Sequence, residues 1–219
     1  MTIWQQFPDD RLLVEASLWS ADFTCFAQEM ERVDPLVDMY HIDVSDGGFV
    51  PGFLFFADLV KALRQLTQKP FHVHLMTVNP LAHIPDFLSA GADLITIQAE
   101  NGPLVPAALD LARKSNVGTG IALGLDTLPE TIEPLLDMLD MVLMMGTPLG
   151  IKGVQPSPFA FRRIERMKEL ILRNGLETKV KIFAGADGVI AGSLVFKSLN
   201  LDQTISWLHG LPMEVAQHR

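Results

Sequence analysis

The sequence predicts a closed (β/α)8 barrel, and three observations point there. Short apolar, strand-like runs occur at residues 12–20, 39–45, 71–77, 94–98, 118–124, 141–146, 179–183 and 188–196. Between most of them lie stretches with helical spacing, such as Phe159, Ile164, Met167, Leu170 and Ile171. No Gly-, Ser- or charge-rich linker divides the chain, so residues 1–219 read as one domain. Strands that alternate with helices imply βαβ units and a parallel sheet. Eight of them suggest closure into a barrel before an open sheet. A doubly wound open sheet is the alternative that the pattern leaves.

Composition narrows the function classes. Hydrophobic residues make up 48% and charged ones 20% of 219 residues, and mean hydropathy is +0.25. That is too apolar for a disordered chain, and no apolar run approaches the roughly 18 residues that span a bilayer. The N-terminal stretch lacks the pattern of a signal peptide. Net charge is −9, which supplies no electrostatic footprint for nucleic acid, so an anionic ligand must be held by a local feature. Cys25 is the single cysteine; it has no activating neighbours, reads as a core residue of the first helix, and fits a cytoplasmic location. The expected partners exclude nucleic acid and membrane and include further copies of the chain, with the apolar run 53–56 as a lid, a subunit contact or simply a cap on the barrel.

Taken in order, the elements follow one rule until late in the chain. The motif Ala-Gly-Ala-Asp occurs at 90–93 and again at 184–187, each time leading into a strand. The first copy closes a helical stretch at 80–89, with Gly91 as a left-handed cap. The second follows directly on the strand-like run 179–183. Parallel neighbours need a crossover of about a dozen residues, and none is present. Either strand seven is not parallel to strand eight, or a loop and helix are absent between them. The repeated motif favours the second. Absence of that unit also accounts for a length close to the roughly 200-residue floor for this barrel.

The residues that carry chemistry lie near strand C-termini, where barrels of this type build their sites. Period-2 alternation puts His41 and Asp43 on one face of the second strand, and His72 and His74 on one face of the third. Imidazoles and a carboxylate on adjacent strands form an N/O donor set for a divalent metal such as zinc, iron or manganese. Asp46, beside Gly47 and Gly48, reads as a loop-former. Two glycine segments, 146–153 with Gly150, Lys152 and Gly153, and 191–193 with Gly192 and Ser193, permit close backbone approach to an anion. Lys152 adds a point charge. Together they suggest a phosphorylated small molecule.

These residues resemble a known family. Ala16-Ser17-Leu18-Trp19-Ser20-Ala21-Asp22 is similar to the Pro-Ser-x-Leu-Ser-Ala-Asp opening of ribulose-phosphate 3-epimerases. His41-Ile42-Asp43-Val44-Ser45-Asp46-Gly47-Gly48-Phe49-Val50-Pro51 resembles their His-x-Asp-x-Met-Asp-Gly-x-Phe-Val-Pro signature, His74-Leu75-Met76 matches their His-Leu-Met, and residues 184–196 resemble their last strand. The resemblance implies a (β/α)8 barrel that inverts the carbinol carbon beside the carbonyl of a ketose phosphate, either ribulose 5-phosphate or a hexulose 6-phosphate. It implies one divalent metal (zinc, iron, manganese or cobalt) held by two histidines and two aspartates, with His41, Asp43 and His74 matching three of the ligands. The aspartates double as acid and base, and Asp43 matches the first. Ser17 and Met76 match substrate-site residues, and Gly192 with Ser193 matches part of the phosphate cradle.

The departures are specific. The family's second aspartate follows strand seven, in the interval that is missing here; Asp187 matches a different aspartate, just before strand eight. Ser45 replaces the signature Met, Gly48 and Gly52 replace larger polar residues, and the family's glycine-rich loop becomes residues 147–155 with Lys152 inserted. A catalytically inactive sugar-phosphate binder is therefore the alternative reading. A decarboxylase of a sugar acid phosphate is disfavoured, because no strand end offers the lysine such enzymes use.

Overall fold

Eight parallel strands close into a barrel in chain order in the computed structural model, which describes residues 3–176, 181–183 and 187–211. The strands are β1 (Leu13–Ser17), β2 (Met39–Ser45), β3 (Phe71–Met76), β4 (Leu94–Gln98), β5 (Gly118–Leu123), β6 (Met141–Met144), β7 (Lys181–Phe183) and β8 (Gly188–Ala191). Outside them lie α1 (Phe26–Val33), α2 (Ala57–Arg64), α3 (Pro80–Ser89), α4 (Val105–Lys114), α5 (Ala160–Arg173), α6 (Ser193–Phe196) and α7 (Leu201–His209). A 3-10 stretch, Pro129–Met138, replaces the helix between β5 and β6 because Pro134 interrupts it. No described helix is long and apolar enough to cross a membrane.

Two strands, β1 and β8, end three or more residues before their apolar runs do. The chain turns into a 3-10 helix at Leu18–Ser20 after β1, and into α6 at Ser193 after β8. In both places apolar residues continue past the strand end because they pack under the next element; Leu18 and Val195 are buried. Cys25 is not in the core either: it is half-buried at the N-cap of α1.

The barrel is filled from the bottom. Trp4, from a 3-10 turn ahead of β1, stacks on Phe183 of β7 at 5.7 Å and donates its indole N–H to the Asp140 carbonyl. Leu13, Met39, Leu94, Met141 and Leu143 complete this apolar plug. A larger cluster lies between barrel and helices. Above the plug the inward positions turn polar, and strand register decides which ones meet. Ser17 pairs with His41, His41 with His72, Asp43 with His74, and His74 with Thr96.

A repeated device ties the strands together at the N-terminal rim. Asp38, Asp93, Asp140 and Asp187 each stand just before an even-numbered strand. Each side chain accepts the backbone N–H at the start of the preceding strand, from Val14, Phe71, Thr119 and Ile182 respectively. Each also returns its own N–H to a carbonyl of that strand, from Val14, Phe71, Thr119 and Ile182. The aspartate that closes each Ala-Gly-Ala-Asp motif is thus a clamp between strands, and Asp187 plays that part.

At the seam, β7 and β8 are parallel and, among the described residues, share a single register pair, Phe183 with Gly188. The alternative of a non-parallel strand seven is thereby excluded, and four residues of sequence separate these strands. Three of the four, residues 184–186, lie outside the described residues, as do Lys179 and Val180 of the expected seventh strand.

Candidate active site

β1, β2, β3 and β4 carry the polar interior. At the mouth, Asp43 lies among three partners. His41 Nε2 is 3.1 Å and His74 Nδ1 3.6 Å from Asp43 Oδ1, while the Ser17 hydroxyl donates to Oδ2 at 2.8 Å. All four residues are buried. His41, Asp43 and His74 form a cluster of the kind that holds a metal ion. Met76 is buried at the end of β3, in register with Ser45.

One layer below sits a second cluster. Glu15 Oε2 lies 2.7 Å from His72 Nδ1 and 3.2 Å from His41 Nδ1, and the two Nδ1 atoms are 3.1 Å apart. His72 Nε2 meets the Thr96 hydroxyl at 2.8 Å. His41 therefore belongs to both layers. Glu15, Thr96 and Gln98 are absent from the sequence reading. The signal was available, since Glu15 precedes Ser17 by two and Thr96 precedes Gln98 by two on their strands, the same alternation that marks His41 and Asp43. A lone acid in an apolar run shows nothing of its partners, which come from strand register.

Charge sets the state of these groups. Burial alone would lower His41, but Asp43 and Glu15 on its two sides raise it to about 10. Burial pushes His72 down to about 4 despite Glu15 beside it. Burial would raise Glu15, yet His72 and the hydrogen bond from His41 hold it at about 2. Asp43 is likewise driven down by His41, against its burial. Burial lowers His74 as well. One imidazolium among two carboxylates leaves a net negative charge in a low-dielectric barrel, an expensive state without a further cation.

The donor set thus fits a divalent metal. Replacing the proton on His41 Nε2 with a dication would neutralise the cluster, and metal uptake would release that proton. His74 fits through Nδ1. Its Nε2 lies 2.6 Å from the Gln98 amide nitrogen, while Gln98 Oε1 is buried without a partner. A half-turn of that amide puts its oxygen on His74 Nε2–H and leaves Nδ1 free to face Asp43.

The glycine segments lie round the rim. A Cβ on Gly192 would sit 2.4 Å from Ser20 Oγ, so glycine lets β8 approach the turn after β1. Ser193 begins α6 beside it. Gly150, at φ +72, packs on Val50, and Gly153, at φ +74, faces open space. Lys152 and Gly192 both lie against the turn after β1, Gly192 on Ser20 and Lys152 on Trp19. The Lys152 ammonium donates to the Trp19 carbonyl and stands 4.3 Å over the Trp19 ring, at the β1 side of the mouth. Burial lowers its pKa, and Asp43 pulls the other way. Asp46 is the loop-former expected: it accepts N–H bonds from Gly48, Phe49 and Val78. Phe53 closes the same loop over Gly47 and stays exposed with Phe56.

The family model for the ribulose-phosphate 3 epimerase family matches residues 13–196. The chain belongs to the ribulose-phosphate 3-epimerase family. It is 32% identical over 212 residues to the ribulose-phosphate 3-epimerase of Bacillus subtilis, covering 90% of this chain and 98% of that one. It is 32% identical over 217 residues to that of Helicobacter pylori, covering 93% and 99%. Among solved structures, 3-keto-L-gulonate-6-phosphate decarboxylase from Vibrio cholerae superposes with TM-score 0.67 at 16% identity, over 90% of this chain and 95% of that one, a likeness of fold. As a member of this family the chain is an isomerase of the carbohydrate epimerase class. The Bacillus match spans 212 positions but takes up only 90% of 219 residues. The relative therefore carries stretches with no counterpart here.

Proposed function

We propose that the protein is a metal-dependent 3-epimerase of a ketose phosphate, ribulose 5-phosphate or a related hexulose 6-phosphate. The observation that carries this reading is Asp43, a buried carboxylate flanked by two imidazoles and a serine hydroxyl at the barrel mouth. His41, Asp43 and His74 would hold one divalent ion, which when bound stabilises negative charge on the substrate's adjacent oxygens. Asp43 takes the proton from the carbinol carbon; the C–H electrons move into a planar enediolate, and protonation from the opposite face inverts the centre. Ser17 holds Asp43 through Oδ2 and so keeps its other oxygen aimed at the metal and the substrate. Met76 lines the apolar side of the site. Lys152 offers a cation, and Gly150, Gly153, Gly192 and Ser193 offer backbone, for the phosphate.

Inversion needs a proton donor on the second face. In the family that is the aspartate after strand seven, where this chain passes from Phe183 to Gly188 through four residues. This observation supports the second reading, an inactive sugar-phosphate binder on the same scaffold. Incubating the metal-loaded protein with ribulose 5-phosphate in D2O separates the two. The epimerase forms xylulose 5-phosphate carrying deuterium at C3. Recovery of unexchanged substrate, together with saturable phosphate-ester binding, would establish the binder instead.

A further inference from the structure

We infer that Glu15, supported by His72 and Thr96, is a positioning residue that fixes the tautomer of His41 and aims its Nε2 lone pair at the metal position beside Asp43. The inference rests on the metal-dependent reading above. It begins with the hydrogens in the lower cluster. Glu15 Oε2 is within reach of both Nδ1 atoms, at 2.7 Å from His72 and 3.2 Å from His41. A carboxylate only accepts, so each imidazole satisfies it by carrying its hydrogen on Nδ1. For His72 this leaves Nε2 as an acceptor, and the Thr96 hydroxyl at 2.8 Å is the donor it requires. Reversing His72 would turn its Nδ1 lone pair onto the carboxylate. Glu15 therefore sets the His72 tautomer, Thr96 completes it by donating to Nε2, and the two imidazoles together hold Glu15 in place.

The consequence appears at the other end of the His41 ring. With Nδ1 committed to Glu15, the only proton that a cation can displace from the ring is the one on Nε2, which lies 3.1 Å from Asp43 Oδ1. Its loss turns the Nε2 lone pair toward the same space that Asp43 Oδ1 faces. Glu15 thus prepares a two-point seat for a metal from the far side of the ring.

A purely structural role does not explain this residue. Glu15 is fully buried, and its Oε1 has no hydrogen-bond partner among the described residues. Oε2 alone meets both imidazoles, so the carboxylate is spent on orienting the two rings, one of which belongs to the metal cluster.

The test uses Glu15→Gln, which keeps volume, and Thr96→Val, which acts on Glu15 only through His72. Metal-free protein is titrated with Zn2+ against a chelator and with Co2+ by visible absorption. Long-range 1H–15N spectra of the zinc-loaded protein report the His41 tautomer. Expected results for Glu15→Gln are a folded protein with a lower melting temperature, since one partner of a buried charged cluster is neutralised, zinc affinity lower by about 10–100-fold, an altered Co2+ spectrum, and loss of the fixed Nδ1–H tautomer. Thr96→Val should weaken zinc binding in the same direction by less. Folded Glu15→Gln or Thr96→Val with wild-type affinity and an unchanged His41 tautomer would overturn the assignment. A second bound Co2+ in wild type that Glu15→Gln removes would overturn it too, by making Glu15 a ligand. If Glu15→Gln does not fold, Thr96→Val decides alone. Wild type that binds no metal refutes the metal-dependent reading, separately from this one.

Discussion

At the scale of single residues, the site is a problem of where protons and cations sit. Asp43 is held ionised and aimed by His41, His74 and Ser17, so its carboxylate is ready to act as a base at neutral pH. Asp43→Asn keeps the shape and removes the basicity. Turnover in the coupled epimerase assay should fall by about 10²–10⁴-fold, with the circular dichroism spectrum unchanged; near-normal turnover would remove Asp43 from the mechanism. Lys152 acts at longer range. It is anchored on Trp19, and on the proposed function it would present a charge to an anionic substrate. Lys152→Ala should raise KM by about 10-fold or more while sparing kcat, on the scale of a lost hydrogen bond to a charged group. A fall in kcat with unchanged KM would move Lys152 from binding to proton transfer. Reading these residues from sequence succeeds where one strand supplies the pair, as with His41 and Asp43. It fails for Glu15, because its significance lies in two neighbouring strands and in a register that no local pattern encodes.

At the scale of elements, the aspartate clamps explain how two-strand units hold together. Each clamp gives a strand start both a side-chain and a backbone hydrogen bond, at a rim where the ladder has run out. The Ala-Gly-Ala-Asp repeat was legible as punctuation before a strand, and 80–89 as a helix closed by Gly91, which the structure places at φ +93. The strand-end overruns at 18–20 and 193–196 were not legible, because buried apolar residues look alike in a strand and in the turn after it. Asp38 shows the clamp's electrostatics. Burial would raise its pKa, but the bidentate Arg11 at 2.6 and 2.8 Å and the Val14 N–H hold it below the usual carboxylate value. A folded-state pKa below the unfolded one stabilises the fold above about pH 4, and that stability is lost as pH falls through the folded value. Asp38→Asn should therefore cost on the order of 2 kcal/mol at pH 7, with the two melting temperatures converging in acid. A gap independent of pH would mean that shape, not charge, makes the clamp.

At the scale of the whole molecule, the barrel is unequal round its circumference. β2 and β3 share a register of six pairs and β4 and β5 one of five, whereas β7 and β8 share one among the described residues. Where other strand pairs in a (β/α)8 barrel gain a covering helix, this pair has a four-residue connection. What holds the seam is the plug beneath it: Phe183 is fully buried, stacked on Trp4, and lies against the space where Gly188 has no side chain. A Cβ on Gly188 would come within 2.2 Å of the Phe183 ring, and the ring cannot swing away without unstacking from Trp4. Regions with few ladder bonds open first in native-state exchange. Amides of β7 and β8 should accordingly lose protection before those of β2 to β5 in hydrogen-exchange mass spectrometry. Gly188→Ala should widen that gap, destabilise the protein by about 1–3 kcal/mol through overpacking, and change the Trp4 environment in fluorescence. Uniform protection round the barrel, or a Gly188→Ala variant as stable as wild type, would show that the short connection closes the cylinder as firmly as a complete βα unit does.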